Sequence, residues 1–128
     1  MLLIYSSENQ PNEEQEAATI AGHRAVLEEA ARRGSLVSAS PLEPTSTATT
    51  VRVTGGQTLV SDGPFAETKE QLAGYYILDC ADLDEAIEWA ARIPTACLGG
   101  GGCVEIRPLR AMSSANAELL TGVSSSHG

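Results

Sequence analysis

Short apolar runs and two longer amphipathic segments alternate along this chain. Leu2–Tyr5 is a compact apolar run and predicts a first strand. Pro11-Asn12-Glu13-Glu14-Gln15 then reads as a helix start. Asn12 suits the N-cap, Gln15 is placed to reach back to it, and the acidic groups favour the positive end of the helix dipole. Ile20, His23, Leu27 and Ala30 follow at helical spacing with Val26 alongside, and Arg32-Arg33-Gly34 closes the segment. Leu36–Ala39 predicts a second strand, and Pro41–Pro44 a connector. In Thr49–Thr54, Val51 and Val53 alternate with Arg52, and Gly55-Gly56 turns the chain into Gln57–Ser61, a hairpin. Gly74–Leu78 predicts a further strand. Asp82 and Glu85 open a second helix with Leu83, Ala86, Ile87 and Ala90 as its buried stripe, and Pro94 ends it. Val104 and Ile106 alternate with Glu105 and Arg107 in a last strand.

The order β-α-β, hairpin, β-α-β implies an α+β fold, an antiparallel sheet with both helices on one face. The other face is then bare, and a second copy is the simplest cover, so a homodimer is expected. Residues 1–110 carry this pattern as one domain. Residues 111–128 form a polar C-terminal tail in which only Leu119, Leu120 and Val123 are suited to packing, and Ser124–Gly128 are expected to be mobile.

The chain's 128 residues suit one domain with a single core, built from aliphatic and alanine side chains because aromatics make up only 4%. Net charge is −9, with only 8 Lys and Arg in total. Phosphate backbones and anionic membranes would be repelled, so a small ligand or a basic protein patch is the better-matched partner, not nucleic acid. The start lacks a basic segment followed by a long apolar one, so no signal peptide is expected, and no run reaches membrane-spanning length. Three cysteines do not make a disulfide framework and read as buried reduced thiols of a cytoplasmic protein. Cys97 and Cys103 have no histidine near them, so no metal is expected, and nothing calls for a cofactor. Gly99–Gly102 follows a helix and enters a strand, which is the wrong context for a phosphate loop.

The richest stretch is Ser61-Asp62-Gly63-Pro64-Phe65-Ala66-Glu67-Thr68-Lys69-Glu70. It combines the only phenylalanine, a turn-forming Asp-Gly-Pro and both signs of charge. Gly63 is expected to be extended, because it precedes proline. The string Asp62–Glu70 followed by Gly74-Tyr75-Tyr76 resembles the signature of the DGPF-domain proteins of the YCII-related family. The segments Asp82–Ala90 and Val104–Pro108 match the same pattern, and the resemblance covers roughly residues 1–110. It implies a ferredoxin-like fold, a dimeric α/β barrel and a bacterial cytoplasmic setting, but no settled reaction. It also implies two functional ideas. A His/Asp pair has been proposed as an active site in the YCII-like branch, and some DGPF members are thought to work with extracytoplasmic-function sigma factors.

His23 shares the apolar face of the first helix, and His23-Arg24-Ala25-Val26-Leu27 resembles the histidine-bearing helix of the YCII-like branch. Its near-neutral pKa suits acid/base work, although a half-buried histidine bonded to a backbone carbonyl has the same sequence signature. Asp62 is the second catalytic candidate, as an acid or as the imidazole's partner; an aspartate before glycine also simply caps a turn. Pro64 and Phe65 would shape a pocket wall, with Phe65 in the core or lining the pocket. Lys69 is a candidate for an anionic substrate group, or part of a solvated charge run. Tyr75 and Tyr76 point to opposite sides of their strand, so one faces the helices and the other a dimer cavity, where it would donate to an enolate or phenolate oxygen.

These observations favour a small organic ligand held between sheet and helices. Any chemistry there would be cofactor-free proton transfer, of lyase or isomerase type. The alternative is a non-catalytic partner of a sigma factor, motivated by the acidic surface and the charged Glu67–Glu70 segment.

Overall fold

The computed structural model describes residues 1–7, 12–94 and 101–119. The chain runs β1 (Leu2–Ser6), α1 (Glu13–Arg32), β2 (Leu36–Pro41), a 3-10 turn (Thr45–Thr47), β3 (Thr49–Thr54), β4 (Gln57–Asp62), β5 (Gln71–Leu78), α2 (Leu83–Arg92) and β6 (Gly102–Ile106). Four strands form one antiparallel sheet in the order β2-β5-β1-β6. Each helix therefore connects two strands that have a third strand between them. This interleaving of two β-α-β halves is the ferredoxin-like arrangement. The β3–β4 hairpin is inserted between the halves and forms its own two-stranded sheet.

Local chemistry fixes the helix ends. Asn12 Oδ1 accepts from the Gln15 backbone N–H at 2.7 Å, and Gln15 Oε1 accepts from the Asn12 N–H at 3.1 Å. The helix closes on Gly34, with Gly34 N–H donating to Ala31 O and Ser35 N–H to Ala30 O. Asp82 accepts from the Glu85 N–H, while the Glu85 carboxylate reaches one residue further back, to the Ala81 N–H. Ile93 is extended, as a residue before proline should be, so α2 stops at Arg92.

The core is Leu2, Ile4 and Tyr76 from the sheet against Val26 and Ala30 of α1 and Trp89, Ala90 and Ile93 from the α2 region. Both helices therefore cover the same face. The α2 stripe differs from the expected one. Leu83 and Ile87 are exposed, and Ala86, Trp89, Ala90 and Ile93 point inward. The two sets have the same i, i+3, i+4, i+7 spacing and share two alanines, and burial of the far larger indole selects the second. Arg33 and Arg92 both approach Trp89, with guanidinium carbons 5.3 and 5.0 Å from its ring. Arg33 also donates to Glu29 at 2.7 Å, so this contact ties the end of α1 to α2.

Three further expectations change. Cys103 is exposed, not buried; Cys80 is partly buried, and both are free thiols. Gly63 is not extended but has φ of +95°, which side chains rarely adopt. Leu119 is exposed within a helical turn at 114–119. Cys97, Gly99, Gly100, Leu120, Val123 and Ser124–Gly128, His127 among them, lie outside the described residues. Among the described residues no helix is long and apolar enough to cross a membrane.

Gly74 lets β2 approach β5. A Cβ there would lie 2.9 Å from the Ser40 carbonyl oxygen and 3.2 Å from Pro41 Cα, both backbone atoms. Gly74→Ala should therefore destabilise the protein by about 1–3 kcal/mol, read as a lower denaturant midpoint at unchanged slope. An unchanged midpoint would mean that the strands separate freely at this rung.

Candidate functional site

The sheet face that carries Tyr76 offers nothing at Gly74, the next position on that face in the direction of β5's start. A cavity of about 500 Å³ opens beside this gap, between β5, β2 and α1. Ile4, Ile20, Leu27, Ala39, Pro41 and Ala73 supply most of its apolar wall. Helical spacing places Ile20, His23 and Leu27 along one side of α1, so the helix presents the imidazole to the cavity. Ile20 is 62% exposed because it forms the rim and not the core.

Tyr76 is only 3% exposed, and its hydroxyl lies 2.5 Å from His23 Nδ1. The rings are offset, with centroids 5.9 Å apart. Each group meets the other's need for a polar partner in an apolar setting, which is why neither is left unsatisfied. Burial disfavours both charged forms. It lowers the His23 pKa below its ordinary value and pushes the Tyr76 phenol up to about 12. At neutral pH the pair is thus a neutral imidazole bonded to a neutral phenol.

The sequence candidates divide between two places. His23, Tyr75 and Tyr76 border the apolar cavity. Pro64 and Lys69 border a second, polar cleft of about 410 Å³, together with Thr45, Ser46, Gly63, Glu67, Thr68 and Gln71. Asp62 is in neither lining. It is the last residue of β4, opposite Thr49 at the base of the exposed hairpin, so within one chain the imidazole's partner is Tyr76 and not Asp62. Phe65 is 79% exposed and lines neither cavity, contrary to the expected core or wall position. The hairpin base is pinned by Gly63 N–H to Ala48 O at 2.7 Å and Thr50 Oγ1 to Gly63 O at 2.8 Å. This holds the Asp-Gly-Pro corner to β3 and leaves Phe65 outside.

Of the two tyrosines, Tyr76 faces the helices. The partnership of His23 with Tyr76 was not read from the sequence. Its only signal there is that both residues fall on inward faces of elements that must pack together. Among the described residues no group of three or more His, Cys, Asp or Glu side chains is placed to hold a metal ion.

A stretch of 76 residues is 50% identical to an uncharacterised protein of Rhizobium meliloti (strain 1021), covering 59% of this chain and 60% of that one. The family model of the YCII-related domain matches residues 1–113, and the chain therefore belongs to the YCII-related family.

Proposed function

We propose that the protein binds a small organic molecule in the apolar cavity and exchanges a proton with it through His23, without a cofactor. The observation that carries this reading is the His23–Tyr76 contact at the wall of a largely apolar chamber. A neutral imidazole is a competent base, and excluding water strengthens every dipole aimed at the reacting atom. In this reading Nδ1–H donates to the Tyr76 oxygen, and the Tyr76 hydroxyl donates to a ligand oxygen. The Nε2 lone pair takes a proton from carbon, and charge that develops on the oxygen is stabilised by the phenol. Such a step belongs to an isomerase or lyase. The alternative role as a sigma-factor partner draws on the acidic surface, the charged Glu67–Glu70 segment and the family resemblance, whereas the cavity offers a defined place for a small ligand.

We also propose that two copies pair through the sheet face opposite the helices. Leu3 and Ile77 alternate onto that face, and among the described residues the core side chains of both helices pack against the other one. Sedimentation should give a dimer, and Ile77→Lys should give a folded monomer. A monomeric wild-type protein would refute this pairing.

Two titrations test the pair. One of the three tyrosines should ionise at about 12, and that transition should vanish in Tyr76→Phe. His23 is lowered, so its stabilising contribution is complete above the ordinary value of 6.5 and is lost as pH falls below it. Wild-type stability should therefore drop between pH 6.5 and more acidic values by more than that of His23→Gln. Parallel curves would mean that the imidazole titrates as if exposed.

Binding is tested by nuclear magnetic resonance of the intact protein against a panel of small aromatic ketones and lactones. Shifts confined to Ile20, His23, Ala39 and Ala73 are expected, with slow exchange of a substrate α-hydrogen that His23→Gln abolishes. Absence of any shift across the panel would count against the chamber as a ligand site.

A further inference from the structure

The polar cleft and the apolar chamber lie at the same end of the sheet. Ser6 lines the chamber, Gln71 lines the cleft, and the two are direct partners across the β1–β5 ladder. Residues so paired lie about 5 Å apart at Cα. On the other side the chain leaves the chamber at Pro41 and enters the cleft at Thr45 and Ser46, only a few residues later. The β5 bulge lies at this same end of the sheet, where pairing shifts between Ile4 and Tyr5. A molecule filling the chamber therefore lies one ladder rung, Ser6 against Gln71, from the cleft.

The cleft carries one charge of each sign. Lys69 and Glu67 both line it, and among the described residues neither is in an ion pair. Ser46 adds a hydroxyl, while Thr68 and Gln71 are already turned toward backbone carbonyls of their own loop. A simple anion would gain Lys69 but meet Glu67 and the overall charge of −9. A simple cation would meet Lys69. A group that is neutral overall but carries separated charges satisfies both side chains and incurs no long-range repulsion.

We infer that the two cavities form one bipartite site. Its occupant is an amphiphile whose mainly apolar ring or branched chain lies in the chamber, with the carbonyl that the Tyr76 hydroxyl bonds, and whose zwitterionic amino-carboxylate head lies in the cleft. The head's carboxylate is held by Lys69 and Ser46, and its ammonium by Glu67. This inference rests on the small-molecule reading of the chamber and adds the chemical class of the ligand. It also gives the Pro64 corner a task. The Gly63-Pro64 turn, hydrogen-bonded through Gly63 to Ala48 and Thr50, lines the cleft between Thr45–Ser46 and the Glu67–Lys69 segment.

The test is calorimetric titration of the full chain with L-phenylalanine, its homologue with one further methylene, 3-phenylpropionate and phenethylamine. The zwitterions should bind about five- to tenfold more tightly than either single-charge analogue, the scale expected for a charge-assisted hydrogen bond at a partly exposed site. Lys69→Met should remove the advantage over phenethylamine, and Glu67→Gln the advantage over 3-phenylpropionate. Equal binding of all four compounds, unaffected by either substitution, would overturn the bipartite site and leave the chamber intact. Binding of none, with no shift at His23, would overturn both readings together. Circular dichroism of both variants, which alter exposed side chains only, guards against loss of fold.

Discussion

The contact between the Tyr76 phenol and the His23 imidazole sits at the seam between an inner strand and the long helix. Two polar groups there would each be costly to bury alone, and together they satisfy one another. The pairing fixes how α1 is rotated about its axis. That rotation sends Val26 and Ala30 into the core and leaves Ile20 and Leu27 beside open space. Two residues away Gly74 removes all side-chain volume from the same face, and β2 closes over the gap with its backbone. The chamber is thus walled by Tyr76 at one inward position of β5 and, at the next, by the close approach of the β2 backbone that Gly74 permits.

Much of the architecture was legible because its signals are local. The Asn12–Gln15 cap, the Gly55-Gly56 turn, the stop before Pro94 and the alternation in β6 each depend on residues within a few positions of one another. The α2 stripe was less legible. Its sequence supports two faces of equal periodicity, and only the tertiary packing of Trp89 distinguishes them. The alternation around Gly55-Gly56 announces a hairpin, yet nothing in it says that the hairpin pairs with itself alone and not with the main sheet. Its burial is low along both strands, so the apolar side chains Val51, Val53, Leu59 and Val60 remain accessible to solvent.

The site was legible residue by residue but not as a constellation. His23 and Tyr76 each stand out as candidates, but they are separated by 53 positions, and no local rule joins them. Resemblance and chemistry both suggest Asp62 as a partner for His23. The fold ends β4 at that residue and binds the following corner to β3, which keeps the carboxylate out of the chamber lining. Gly63 shows the limit of neighbour rules. The proline after it favours an extended residue, but the turn requires positive φ, and glycine tolerates both demands.

Trp89 is the sole tryptophan, clasped by two guanidinium groups and wholly enclosed. Its fluorescence will therefore report the docking of α2 on the four-stranded sheet and the departure of Arg33 when that docking fails. The separate β3–β4 ribbon lies outside its view. A loss of ribbon structure that precedes global unfolding would leave the emission unchanged while its amide protons exchanged with solvent, so the two signals together would resolve the molecule into two cooperative units.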